Sequence, residues 1–101
     1  MAATAKQVLL QIARLSKKLA CDVQFRKKFE QIIGDTQTGT GKRVLQMRAL
    51  LRSAGFRSPN RVRILNDLGE TPRVVISYNA VDFKLQTSIT LSFTFQLNPG
   101  P

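Results

Sequence analysis

Residues 83–97 read FKLQTSITLSFTFQL. Phe83, Leu85, Ile89, Leu91, Phe93, Phe95 and Leu97 fall on one side of a two-residue period, with Thr87 intruding. Lys84, Gln86, Ser88, Thr90, Ser92, Thr94 and Gln96 fall on the other. Side chains alternate across a strand, so this pattern predicts a β-strand with one face buried and one in water. The apolar face demands a second layer to cover it, and the rest of the chain must supply that layer.

The N-terminal half supplies helices. In residues 4–19, Val8, Ile12, Leu15 and Leu19 recur at helical spacing and form one stripe, with Thr4 placed as an N-cap. Asp22 is placed to cap a second helix over residues 23–33, with Phe25, Phe29, Ile32 and Ile33 inward and Gly34 as its stop. No breaker separates the two, so one long helix is the alternative. Residues 34–41, GDTQTGTG, form a loop. A third helix follows over residues 42–54, with Val44, Met47, Leu51 and Ala54 on one face. Gly55 then stands where a left-handed cap belongs, and Phe56 is placed to cover Leu51.

Residues 58–69 fit two descriptions. Ser58, Pro59 and Gly69 are placed as the N-cap, first residue and stop of a fourth helix burying Val62, Leu65 and Leu68. The run RVRIL also suits a strand. The caps favour the helix. Residues 73–78, RVVISY, read as a strand, joined through residues 79–82, NAVD, to the long final strand. That hairpin is unequal, because a strand over residues 83–97 would extend roughly 50 Å at ~3.4 Å per residue, far beyond its neighbour. Either it bends near Thr87, or its unpaired part meets another chain.

The 101 residues suffice for one domain with one core, and a hydrophobic content of 43% supports packing rather than disorder. The expected fold is therefore α+β. Three or four helices (a basic part, residues 1–56) precede a β-hairpin or small antiparallel sheet (residues 72–97) with one unusually long C-terminal strand. No run is long enough to span a bilayer, and the N-terminus lacks the apolar core of a secretory signal. The single cysteine, Cys21, allows no intramolecular disulfide, which suits a cytoplasmic or other intracellular setting.

Charge is the second constraint. The formal net charge is +10, and it is lopsided: residues 1–63 hold fourteen Lys/Arg against three Asp/Glu, and residues 64–101 hold two against three. A basic half joined to a neutral half points to a polyanionic partner. The basic residues cluster as Lys17-Lys18, Arg26-Lys27-Lys28, Lys42-Arg43, Arg48, Arg52, Arg57, Arg61 and Arg63. Arg48 and Arg52 share a helix face, and arginine predominates after residue 42, which suits forked phosphate contacts.

Catalytic chemistry has little to stand on. The chain has no histidine, and with a single cysteine it offers no zinc site. Six carboxylates are dispersed; Asp67 and Glu70 are three apart on either side of Gly69 and read as solvated ends. The run GDTQTGTGKR is not a phosphate-binding loop of the nucleotidase type, since Thr36 stands at the first glycine position and Arg43 at the metal-binding hydroxyl. A helix start near Lys42 and Arg43 remains compatible with holding a nucleic-acid phosphate. A winged-helix-like arrangement, with residues 42–54 as recognition helix, rests on analogy of element order. No aromatic RNA-recognition motif is present. The ending Asn98-Pro99-Gly100-Pro101 resembles the end of viral ribosome-skipping peptides, but Thr94 and Gln96 replace the acidic pair that family carries just upstream. It reads as a Pro-Gly turn after the strand.

The expected function is non-catalytic binding of nucleic acid, DNA or RNA, or another polyanion, with no cofactor and no membrane partner. The phosphate contacts are expected from Lys27, Lys28, Lys42, Arg43, Arg48, Arg52, Arg57 and Arg61. The rival expectation is a structural subunit of a homo-oligomeric, virion or ribonucleoprotein assembly joined through residues 83–97.

Overall fold

The computed structural model describes residues 3–66 and 71–97. Three helices, α1 (Ala5–Cys21), α2 (Val23–Gly34) and α3 (Thr40–Ser53), precede three strands, β1 (Arg61–Leu65), β2 (Arg73–Asp82) and β3 (Thr87–Gln96). The strands form one antiparallel sheet in the order β1-β2-β3. The layout is α+β, as the sequence implies.

The helix ends follow local chemistry. The Thr4 hydroxyl accepts the Gln7 N–H, and the Gln7 side-chain carbonyl accepts the Thr4 N–H, closing a capping box at the start of α1. Asp22 is at once the C-cap of α1 and the N-cap of α2, its backbone extended and its carboxylate accepting the Phe25 N–H at 3.0 Å. This one residue resolves the long-helix alternative in favour of two. At the end of α3, Gly55 adopts φ 86°, its N–H donates to Arg52 O, and the Phe56 N–H donates to Leu51 O. That is a Schellman arrangement, with Phe56 and Leu51 both buried as expected.

Five expectations need correction. Residues 61–65 are strand rather than helix, because Val62 and Ile64 pair with Ile76 and Val74 and bury on the sheet's inner face. The ends at Asp67, Leu68, Gly69 and Glu70 lie outside the described residues, as does the ending 98–101. Residues 79–82 are not a turn but the last part of β2, with Ala80 paired to Ile89 and buried. The turn falls at residues 83–86, where the Asp82 carboxylate accepts the Lys84 and Leu85 N–H groups. β2 and β3 are consequently both ten residues long, and the final strand has no surplus half. Phe83 and Leu85, expected inward, sit at the hairpin tip and are 70% and 71% exposed. Gly34 is not a left-handed stop: α2 runs through it to a C-cap at Asp35. A Cβ there would lie 3.2 Å from Leu97 Cδ1, so the missing side chain lets the end of β3 approach α2.

The core lies between the helices and the inner face of the sheet. Cross-strand rows Val62–Ile76–Phe93 and Ile64–Val74–Phe95 continue into Tyr78–Leu91 and Ala80–Ile89. α1 packs over β2 and β3, and α3 packs over β1. Phe29 of α2 is wholly buried and meets Phe95 edge-on, with ring centroids 5.2 Å apart. Burial of such a ring is worth about 1.5–3 kcal/mol over leaving it in water. The β2–β3 hairpin lies under α1 rather than beside α3, which is not where a wing flanking a recognition helix would stand.

Candidate nucleic-acid interface

The basic residues separate into those engaged within the fold and those left to solvent. Arg43 is the clearest correction. Its side chain is 3% exposed and donates to the carbonyls of Ile32 and Ile33 at the end of α2, so it holds protein backbone and not phosphate. Lys18 pairs with Asp22 at 3.0 Å and lies over the Phe25 ring. Arg14 lies over Phe56, and Arg26 reaches Leu19 O and Glu30. Phe25 and Phe29 are core, as their spacing suggests.

Exposed arginines flank the connection between α3 and β1: Arg52 lies in the last turn of α3, Arg57 in the connection, and Arg61 and Arg63 in β1. Residues 57–60, which lead into β1, are pinned from three directions. The Tyr78 hydroxyl donates to Arg57 O at 3.1 Å. Arg48 donates to Pro59 O at 2.7 Å and more weakly to Asn60 O. The Asn60 N–H donates to Ser77 O, and its side-chain carbonyl accepts the Asn79 N–H at 2.8 Å. Burial pushes the Tyr78 phenol above its ordinary range, with the Arg57 charge opposing that shift, so Tyr78 remains a neutral donor.

Arg57 belongs to this pinned segment, Arg61 follows it as the first residue of β1, and Arg63 lies two residues on. Arg61 and Arg63 lie on the outer face of the sheet, in the rows Arg61–Ser77–Ser92 and Arg63–Val75–Thr94. Arg52 sits one helical turn beyond Arg48. The side chains of Arg52, Arg57, Arg61 and Arg63 are exposed, and none forms an ion pair with a described residue. Arg63 is absent from the sequence-based set, although the alternation RVRIL, taken as a strand, places it beside Arg61. Lys27 and Lys28 are exposed on α2, and Lys42 is exposed in the first turn of α3, about 15 Å along the helix axis from Arg52. Among the described residues no ion pair engages these three lysines.

Compared with known proteins, the chain matches no family model, no curated protein and no solved structure. The arrangement itself must therefore supply the reading.

The outer sheet face exposes Asn79, Ser88, Thr90, Ser92, Thr94 and Gln96 beside the arginines, and among the described residues it carries no carboxylate and no aromatic ring. Such a surface offers forked donors and hydroxyls to phosphate but no platform for stacking bases. The described carboxylates are engaged elsewhere. The Phe25 N–H, followed by Lys18, holds Asp22 below its ordinary value. The Thr38 hydroxyl, followed by the Gln37 N–H, does the same for Asp35. Among the described residues no cluster of side chains could hold a metal ion, and no helix is long and apolar enough to cross a membrane.

Proposed function

We propose that this protein binds nucleic acid without catalysis, gripping the phosphate backbone at the α3–β1 junction. Arg52, Arg57, Arg61 and Arg63 make the contacts, and Arg48 positions the segment that carries Arg57 and leads into Arg61. One observation supports this above others: these exposed arginines, unpaired by any described carboxylate, flank in sequence a backbone segment pinned by Tyr78, Arg48 and Asn60. A fixed segment holds the guanidinium groups near their binding positions, which lowers the ordering cost of association. Because phosphate contacts carry no base identity, affinity depends steeply on salt and little on sequence. Lys27, Lys28 and Lys42 add long-range attraction.

Fluorescence anisotropy against single- and double-stranded DNA and RNA across a salt series tests the reading. Four phosphate contacts on a duplex give a log-log salt slope of about −3.6. The variant R57E/R61E/R63E abolishes binding, whereas K27E/K28E keeps most of it. Absence of binding at low salt overturns the proposal, as does a triple variant that binds like the parent.

A further inference from the structure

The two edges of the sheet are built differently. β1 is five residues long and carries Arg61 and Arg63, a short charged edge that discourages further pairing. β3 is ten residues long, without a charge or a proline, and no described strand pairs with its outer side. The register identifies the backbone groups that face outward. The Leu97 N–H donates to Pro72 O, so the odd-numbered residues of β3 exchange hydrogen bonds with β2. Ser88, Thr90, Ser92, Thr94 and Gln96 therefore turn their N–H and C=O groups to the open edge. On the inner face, Ile89, Leu91, Phe93 and Phe95 are only half-buried, unlike their partners on β2. Beside the aromatic half of β3 runs a groove of about 450 Å³, lined by Leu19, Ala20, Arg26, Phe93 and Phe95 among others.

We propose that β3 pairs antiparallel with β3 of a second copy of this chain, about a twofold axis through Ser92, making one sheet continuous through both copies. This goes beyond the phosphate-binding reading and does not depend on it. An edge of unpaired N–H and C=O groups selects a strand as its occupant, and the strand here is complementary to itself. Centring on Ser92 engages every outward-facing residue: Thr90 meets Thr94 of the partner subunit, and Ser88 meets Gln96 of the partner subunit. On the inner face the same axis sets Leu91 against the partner's Phe93 and Ile89 against the partner's Phe95. Each aliphatic side chain thus meets an aromatic one, a favoured cross-strand pair, and enters the groove beside Leu19 and Ala20. The blunted β1 edge stops growth at two copies. Both copies are strongly basic, so screening by salt tightens the dimer, opposite in sign to its effect on nucleic-acid binding.

Sedimentation equilibrium of the nucleic-acid-free protein, at low and high salt and over a wide concentration range, reads the association directly. The expected result is a dimer that strengthens with salt. T90K/T94K sets like charges opposite each other across the axis and gives a monomer with an unchanged far-UV spectrum, whereas T90E/T94K sets opposite charges there and keeps the dimer. Hydrogen exchange on the unmodified protein needs no variant: the Thr90, Ser92 and Thr94 amides slow as concentration rises, in step with dimer formation. A monomer at every concentration and salt overturns the proposal. So does T90K/T94K that dimerises like the parent, an assembly larger than a dimer, or edge amides whose exchange ignores concentration. None of these outcomes bears on the arginine cluster, which the anisotropy experiment tests separately.

Discussion

Arg43 belongs to α3 but finishes α2. Its Nε donates to Ile32 O at 2.9 Å, and its Nη2 donates to Ile33 O. The final carbonyls of a helix have no intrahelical donor, and they form the negative end of its dipole. A buried guanidinium answers both needs. Replacing it in R43M leaves those carbonyls without a donor and should destabilise the fold by about 2–3 kcal/mol, measured by urea denaturation. R43K should recover only part of the loss, because an ammonium cannot fork to two adjacent carbonyls. Neither variant should change the salt slope of nucleic-acid binding.

Single neutralisations at the α3–β1 junction should act on that slope. R61Q and R63Q should each lower its magnitude by about 0.9 on duplex DNA, with the folded state unchanged. R48M should differ from both. It releases Pro59 and Asn60, so it should weaken binding and also lower the melting temperature. Salt-dependent anisotropy together with thermal denaturation separates the two kinds of arginine.

Gly55 holds φ 86°, a conformation an alanine adopts at a cost of about 1–2 kcal/mol. G55A should destabilise the protein by that amount in chemical denaturation. The space around the position is open, so the loss should come from backbone strain alone, and G55N should suffer less than G55A.

Acid should loosen the α1–α2 junction. Asp22 is held below the ordinary aspartate value of 3.8, chiefly by the Phe25 N–H and then by Lys18. A carboxyl whose folded pKa lies below its unfolded one stabilises fully above the unfolded value and loses that contribution as pH falls through the folded one. D22N keeps an oxygen for the Phe25 N–H but no charge for Lys18. The stability difference between the parent and D22N should therefore be constant near neutrality and shrink below about pH 4, a range set by the ordinary carboxyl value. Urea melts over a pH series check this.

Three of the helix ends were legible because they rest on contacts within a few residues. Thr4 with Gln7, Asp22 with Phe25, and Gly55 with Phe56 are all local, and each appears where its residue type predicts. The β1 segment was less legible, since Ser58, Pro59 and Gly69 imitate helix punctuation, while the pairing of Val62 with Ile76 is made across the sheet. Residues 79–82 have the look of a turn, yet pairing of Ala80 with Ile89 carries β2 through them, and Asp82 closes the hairpin later.

By itself, then, the sequence determined that helices would cover one face of an antiparallel sheet, that Thr4 and Asp22 would cap two helix starts and Gly55 would close the third helix, and that the charge lies in the first two-thirds of the chain. It misplaced the end of α2, which runs through Gly34, and the start of α3, which falls at Thr40 rather than residue 42. Only the tertiary structure decided which cations remain available to a partner and which apolar side chains are covered. Arg43 and Arg61 look alike in the chain, but one meets the carbonyl end of a helix ten residues earlier and the other meets water. Phe83 and Phe93 occupy the same phase of one alternation, but Phe83 lies in the exposed turn and Phe93 packs against the core. Periodicity sets the direction in which a side chain points, and burial depends on what the rest of the fold brings to meet it.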